Sequence, residues 1–249
     1  MNSAVATSWD PGLIALSFVF AVLGSFIALT AAHRLRTERG RLDWTRLLNV
    51  GAALGGVGVW SMHFIGMLAL RLDVGSSYSV PETVLSLVVA VLATAASVAM
   101  AASRPDSLGR LLLAGCLLGL SVVLMHYLGM YGLKIYGVID WDMLLVLASI
   151  VIAIVAATAA LWLALNTPTL KRRLAAALAM GVAVCAMHYT GMAAAEFICT
   201  TTERTAIPQG DALISAFRLP NMVVSATVLM TLLLALGQLL QRPKRRGAH

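Results

Sequence analysis

Met62-His63-Phe64-Ile65-Gly66-Met67, Met125-His126-Tyr127-Leu128-Gly129-Met130 and Met187-His188-Tyr189-Thr190-Gly191-Met192 are three copies of one phrase. Their histidines stand at positions 63, 126 and 188, so 63 and then 62 residues separate them. That interval is the length of two membrane helices with their connections. A glycine lies seven positions before each histidine, at Gly56, Gly119 and Gly181. The repeat is therefore a helix pair used three times, and the phrase sits on the second helix of each pair.

The sequence around the three phrases supports a chain buried in lipid. Hydrophobic residues make up 60% and charged residues 12% of 249, against roughly half and a quarter in soluble domains. Mean hydropathy is +0.89. These values exclude a disordered chain, a secreted disulfide scaffold and an ordinary soluble enzyme. Seven segments are long and apolar enough to span a bilayer: Leu13–Ala32, Leu47–Leu70, Val84–Ala102, Leu111–Leu133, Met143–Leu165, Leu174–Ala195 and Leu219–Leu240. The first lacks a basic leading region and is flanked by Trp9-Asp10-Pro11, so it reads as a mature helix and not a signal peptide. The fold class is all-α: a polytopic membrane protein of three helix-pair repeats plus a seventh helix. Residues 1–12 form a segment outside the membrane, residues 13–240 the membrane domain and residues 241–249 a basic tail.

The charges set an orientation. Arg34, Arg36, Arg39, Arg41, Arg46, Arg104, Arg110, Lys171, Arg172, Arg173, Arg242, Lys244, Arg245 and Arg246 fall on one side of the membrane. Arg71, Lys134, Arg204 and Arg218 fall on the other. The positive-inside rule places the first group in the cytoplasm, with the N-terminus outside. The net charge of +7 is thus loop charge facing an inner membrane's cytoplasmic leaflet, and no nucleic-acid partner is needed to explain it. In this orientation the second, fourth and sixth helices run outward, and all three phrases lie at one level near the outer face.

A histidine inside a span is costly and reads as functional. His63/Met67, His126/Met130 and His188/Met192 are i, i+4 pairs and share a helix face. Met62, Met125 and Met187 precede each histidine by one residue and flank the same site. The glycine of each phrase leaves a notch for close approach. Imidazole with thioether is a soft donor set that suits copper, above all Cu(I), better than Mg, Ca or Mn. Zinc prefers Cys, His and carboxylate. Haem has no C-x-x-C-H attachment site here, but non-covalent haem stays open. The competing reading is a metal-free bundle in which histidines hydrogen-bond between helices and methionines fill space. Cys185 and Cys116 read as packing residues, Cys199 just outside the sixth helix as a candidate redox-active thiol, and Asp73, Glu82, Asp140, Asp142 and Glu196 as rim charges in the outer loops.

The motif resembles that of the MHYT-domain family of bacterial integral membrane sensors. Gly56-Val57-Gly58-Val59-Trp60-Ser61 leading into Met62-His63-Phe64 is similar to the family's first copy. Met180-Gly181-Val182-Ala183-Val184-Cys185-Ala186 leading into Met187-His188-Tyr189 is similar to its third, and Gly24-Ser25-Phe26-Ile27-Ala28-Leu29 to its opening. The resemblance implies seven helices, copper at the three motifs near the outer face and a response to oxygen, carbon monoxide or nitric oxide. Phe64 departs from the family's tyrosine, so a hydroxyl is not essential in all three copies. Family members often continue into nucleotide-cyclase-like or phosphodiesterase-like domains. Nine residues follow Leu240 here, so the expectation is a separate cytoplasmic signalling partner, a chain trimmed from a longer signalling protein, or a function other than signalling. No P-loop, G-x-S-x-G or H-E-x-x-H motif is present, and the chain is expected not to be an enzyme. The alternative function is copper handling by a membrane carrier, assembly factor or transporter.

Overall fold

The computed structural model describes residues 3–32, 35, 41–166 and 169–240. His33, Arg34, Arg36, Arg39 and the basic tail 241–249 lie outside the described residues. Among the described residues, seven helices are long and apolar enough to cross a membrane. They are α1 (Pro11–Ala32), α2 (Trp44–Ala69), α3 (Val80–Ser103), α4 (Leu108–Gly132), α5 (Met143–Asn166), α6 (Leu170–Ala193) and α7 (Leu219–Leu240). Most begin two to four residues before the apolar runs do, because a helix starts at its cap and hydropathy is blind to capping. The Asp10 carboxylate accepts the Gly12 and Leu13 N–H groups, and Asp43 accepts those of Thr45 and Arg46. Ser107, Asp142 and Thr169 serve α4, α5 and α6 in the same way.

Neighbouring helices pack in the sequence α3–α4–α5–α6–α1, while α2 packs against α1, α3 and α7. This makes α2 the enclosed helix. Its apolar window is 89% buried, against 22–39% for the other six. Glycines let its backbone close on its neighbours. A Cβ on Gly24 of α1 would overlap the Gly58 backbone, and one on Gly55 would lie 2.6 Å from the Ala90 carbonyl carbon of α3. Between Ala52 and Trp60 the helix widens into a π-helical stretch before resuming α geometry at Ser61. The lipid-facing sides of α3 to α7 carry residues such as Leu92, Leu113, Val155, Leu174 and Leu232, all more than half exposed.

The motif-bearing end is covered by eight short strands: β1 (Ser3–Ala4), β2 (Thr7–Trp9), β3 (Leu70–Leu72), β4 (Ser76–Ser79), β5 (Leu133–Ile135), β6 (Gly137–Trp141), β7 (Ala195–Cys199) and β8 (Leu213–Ser215). They form three antiparallel sheets in the orders β1-β7-β6, β2-β3 and β5-β4-β8. Strands β3, β5 and β7 each follow a motif helix directly. The segment 3–9 is thereby tied to the loops after α2 and α6. Arg71 pairs with Asp10 at 2.6 Å, and Arg204 with Asp73 at 3.1 Å, while Lys134 stands 3.8 Å from Glu82. Several of the rim acids therefore have partners or capping duties. Asp140 and Glu196 face one another across β6–β7.

Candidate metal centre

Each motif lies in the last two turns of its helix, so α2, α4 and α6 deliver their histidines to one level. His63, His126 and His188 have no exposed surface. Their Nδ1 atoms form a triangle with edges of 3.1 Å (His63–His188), 3.1 Å (His126–His63) and 3.2 Å (His188–His126). Among the described residues this is the cluster of metal-competent His, Cys, Asp or Glu side chains, with all its ligand atoms within 4.8 Å of one another. Cys116, Cys185 and Cys199 are not part of it.

The triangle cannot satisfy itself by hydrogen bonding. A neutral imidazole nitrogen is a donor or an acceptor, never both. Three nitrogens in mutual contact therefore include at least one pair of like kind, two lone pairs or two N–H groups facing each other. In a dry interior such a conflict costs about as much as a lost hydrogen bond, roughly 1–3 kcal/mol. A cation accepting all three lone pairs removes it. A tetrahedral ion about 2.0 Å from three imidazole nitrogens spaces them about 3.3 Å apart, close to the observed edges.

The opposite nitrogens show how the rings are seated. A Cβ on Gly129 would run into His63 Nε2, one on Gly191 would come within 2.5 Å of His126 Nε2, and one on Gly66 would run into His188 Nε2. Each ring therefore occupies the notch of another repeat, in the cyclic order first to second, second to third, third to first. The three Nε2 atoms have no hydrogen-bond partner and are sealed against backbone. The nitrogens left facing the open centre are the Nδ1 atoms.

The residue after each histidine stacks edge-on against it at 4.8 Å between centroids, for Phe64, Tyr127 and Tyr189 alike. The Tyr127 hydroxyl lies 2.8 Å from Ser149 Oγ and the Tyr189 hydroxyl 2.8 Å from Ser17 Oγ. Phe64 instead leans on Trp60, whose Nε1 donates to the Thr83 carbonyl and to Ser86 Oγ. No spacing in the sequence pointed to Ser17 or Ser149; a lone buried serine on a distant helix carries no signal of its own. The six motif methionines are interior: Met62, Met125 and Met130 are 0% exposed, Met187 1%, and Met67 and Met192 2%. Beside Met187 an apolar cavity of about 30 Å³ lies between α2, α4, α5 and α6, lined by Val59, Leu118, Ala157 and Met180 among others.

A family described as a bacterial signalling protein N-terminal repeat, MHYT, matches residues 1–43, 56–114, 119–177 and 181–247. The chain belongs to the MHYT family. Three of the four matched segments begin at or next to the glycines seven positions before each histidine, so the unit of duplication starts mid-helix. The bifunctional diguanylate cyclase/cyclic di-GMP phosphodiesterase MucR of Pseudomonas aeruginosa is 40% identical over 77% of this chain and 28% of its own length. The cyclic di-GMP phosphodiesterase NbdA of the same organism is 36% identical over 75% of the chain and 24% of its own. The signalling protein YkoW of Bacillus subtilis is 28% identical over 78% of the chain and 25% of its own. The MHYT chain thus spans about a quarter of the length of these relatives. No solved structure gives a significant match. Membership of this family of signalling proteins and the seven apolar helices make the chain a multi-pass inner-membrane protein with a sensor or signalling role.

Proposed function

We propose that this MHYT chain senses through one copper ion held by His63, His126 and His188 near the outer face of the membrane. A diatomic gas (O2, CO or NO) or a redox change alters the ion's ligation, and the bundle passes the change to a cytoplasmic partner. The observation that carries the reading is the triangle of Nδ1 atoms 3.1–3.2 Å apart, with no hydrogen-bonding solution of its own. The three rings would supply nitrogen ligands. Met67, Met130 and Met192, with Met62, Met125 and Met187 flanking, would supply thioether and favour Cu(I). Bound copper offers a soft, redox-active centre able to take a small ligand. The protein's part is to orient the rings by the glycine notches, exclude water and admit apolar molecules.

The apolar cavity beside Met187 supports the gas arm, since its volume suits a single small apolar molecule. Nitrogens this close leave no room for a porphyrin, which argues against haem. The excess of Lys and Arg at the end away from the motifs supports an outer position for the site and a cytoplasmic C-terminus. The names of MucR and NbdA point to cyclic di-GMP turnover as the output class. The membrane domain itself is read as non-enzymatic.

The test is Cu(I) affinity by chelator competition on untagged protein, for wild type, the triple His→Ala variant and the triple Met67/Met130/Met192→Leu variant. Loss in the first and a smaller, Cu(I)-selective loss in the second are expected, because Met→Leu is nearly silent where methionine only packs. Unchanged affinity without the histidines would sink the copper reading. Copper binding with no change in conformation on adding gas or oxidant would favour copper handling instead.

A further inference from the structure

The symmetry of the three motifs does not extend to the space beyond them. At the motif-bearing end a cavity of about 480 Å³ lies against β3, β4 and the residues that follow β8, far larger than the ~10–15 Å³ that holds one water. Its walls include Arg71, Asp73, Tyr78 and Phe217, and the residues of α2 that line it are Met67 and Leu68. Met130 and Met192, the equivalent methionines of the other repeats, are not among its lining residues. The histidine triangle is itself sealed, at 0% exposure for each ring. Among the six motif methionines, the thioether that a cation in this cavity can reach is Met67, of the first repeat.

We infer that Met67 is the uptake site for a soft monovalent metal ion, which it receives from the outer aqueous face through this cavity and passes to the histidine triangle. The inference rests on the copper reading above. Met67 is four residues from His63 on the same helix face, so their Cβ atoms stand about 5–6 Å apart. The methionine side chain has three rotatable bonds and can swing between cavity and triangle without moving the helix. Charge around the opening does not repel a cation: Arg71 is held by Asp10 and Arg204 by Asp73. A thioether takes Cu(I) or Ag(I) from water and leaves strongly hydrated Mg²⁺ and Ca²⁺ behind, so the path selects before the final site does.

The experiment uses Ag(I), which has the softness of Cu(I) and no redox chemistry, mixed with the full chain in detergent. Uptake is stopped at set times with a soluble thiol chelator, and protein-bound silver is measured by elemental analysis. Four variants are compared with wild type: Met67→Leu, Met130→Leu, Met192→Leu and Thr205→Trp, the last filling the cavity from an exposed position on its wall. Met67→Leu and Thr205→Trp should both slow uptake about 10-fold or more, and Thr205→Trp, which leaves every proposed ligand in place, should still reach the wild-type stoichiometry. Met130→Leu and Met192→Leu, which weaken only the final site, should lower affinity without slowing uptake. Wild-type rates in both Met67→Leu and Thr205→Trp overturn the inference and leave the metal reading standing. So does an equal loss of affinity, without a rate effect, in all three methionine variants, which would make Met67 only a resident ligand. Failure of wild type to take up either Ag(I) or Cu(I) overturns the metal reading and the inference with it.

Discussion

Helix α2 and helices α4 and α6 carry the same six-residue phrase, yet α2 is 89% buried along its apolar window and the other two 39%. Around the histidine the three are alike: the same edge-on aromatic at 4.8 Å, the same glycine notch, the same buried methionines. Deeper in the membrane they part. Helix α2 opens into a π-helical stretch and is closed over by α7, whose Thr227 meets Ser61 at 2.7 Å. Helices α4 and α6 stay α-helical and face lipid on one side. Threefold likeness is kept where three side chains must meet at a point. It is dropped where one helix must be enclosed and a seventh must be accommodated. The buried helix is also the one whose aromatic lacks a hydroxyl, since Phe64, at 0% exposure, leans on the Trp60 ring where the tyrosines have serines.

The comparison breaks most visibly at the histidines. If the three are equivalent, His63→Ala, His126→Ala and His188→Ala should each weaken Cu(I) binding at least about 100-fold, beyond what loss of a supporting group costs. Chelator competition on each single variant checks this, and near-wild-type affinity in any one of them would reduce the site to two ligands. Next come the glycines. A Cβ on Gly119 would lie 2.6 Å from the Ile154 Cα, whereas one on Gly56 would lie 2.7 Å from Met230 Sδ, the end of a flexible side chain. Gly119→Ala should therefore cost about 1–3 kcal/mol and Gly56→Ala less than about 1 kcal/mol. Thermal unfolding in one detergent measures the difference, and equal midpoints would remove it.

The aromatics sharpen the comparison further. Phe64→Tyr puts a hydroxyl into a sealed apolar contact and should cost about 1–2 kcal/mol. Tyr127→Phe and Tyr189→Phe should cost only about 0.5–1.5 kcal/mol each, because Ser149 and Ser17 still donate to the carbonyls of Val146 and Ile14. Stability of the three variants, ranked in one assay, decides whether the first repeat's departure is packing or accident. The smallest effect belongs to Asp10. Its carboxyl is held below the usual range by the Leu13 N–H first, against the opposing push of burial, and then by the Arg71 guanidinium and the Gly12 N–H. The folded value is the lower one, so this stabilisation is complete above the unfolded value of about 3.9 and fades as pH falls through the folded one. Wild type should lose more of its midpoint than Asp10→Asn between pH 5 and pH 3, and parallel curves would make the contact inert.

The seven spans were legible because hydropathy and flanking charge report them directly, and the starts of α1, α2, α4 and α6 moved where Asp10, Asp43, Ser107 and Thr169 cap a turn that hydropathy ignores. The meeting of three histidines was legible from the intervals of 63 and 62, since equal spacing in a parallel helix-pair repeat gives equal depth. The notch at each motif glycine was visible as small-residue spacing. Its occupant was not, because the ring that fills Gly129 belongs to a histidine 66 residues earlier. The eight strands were invisible for a physical reason as well. Segments of two to five residues are too short for a periodicity to be read from the sequence, and they pair where the helices bring them together. The π-helical stretch left only a cluster of glycines, Gly55, Gly56 and Gly58, as its trace.

The cyclic seating of the rings bears on how such a chain can arise. Because each imidazole rests in the notch of another repeat, a single copy has a ring with no seat and a seat with no ring. Two copies leave one of each unmatched. Only a third closes the circle, whether it stands on the same chain or on a separate one, so the triangle requires either a triplicated chain or three single units assembled as a ring.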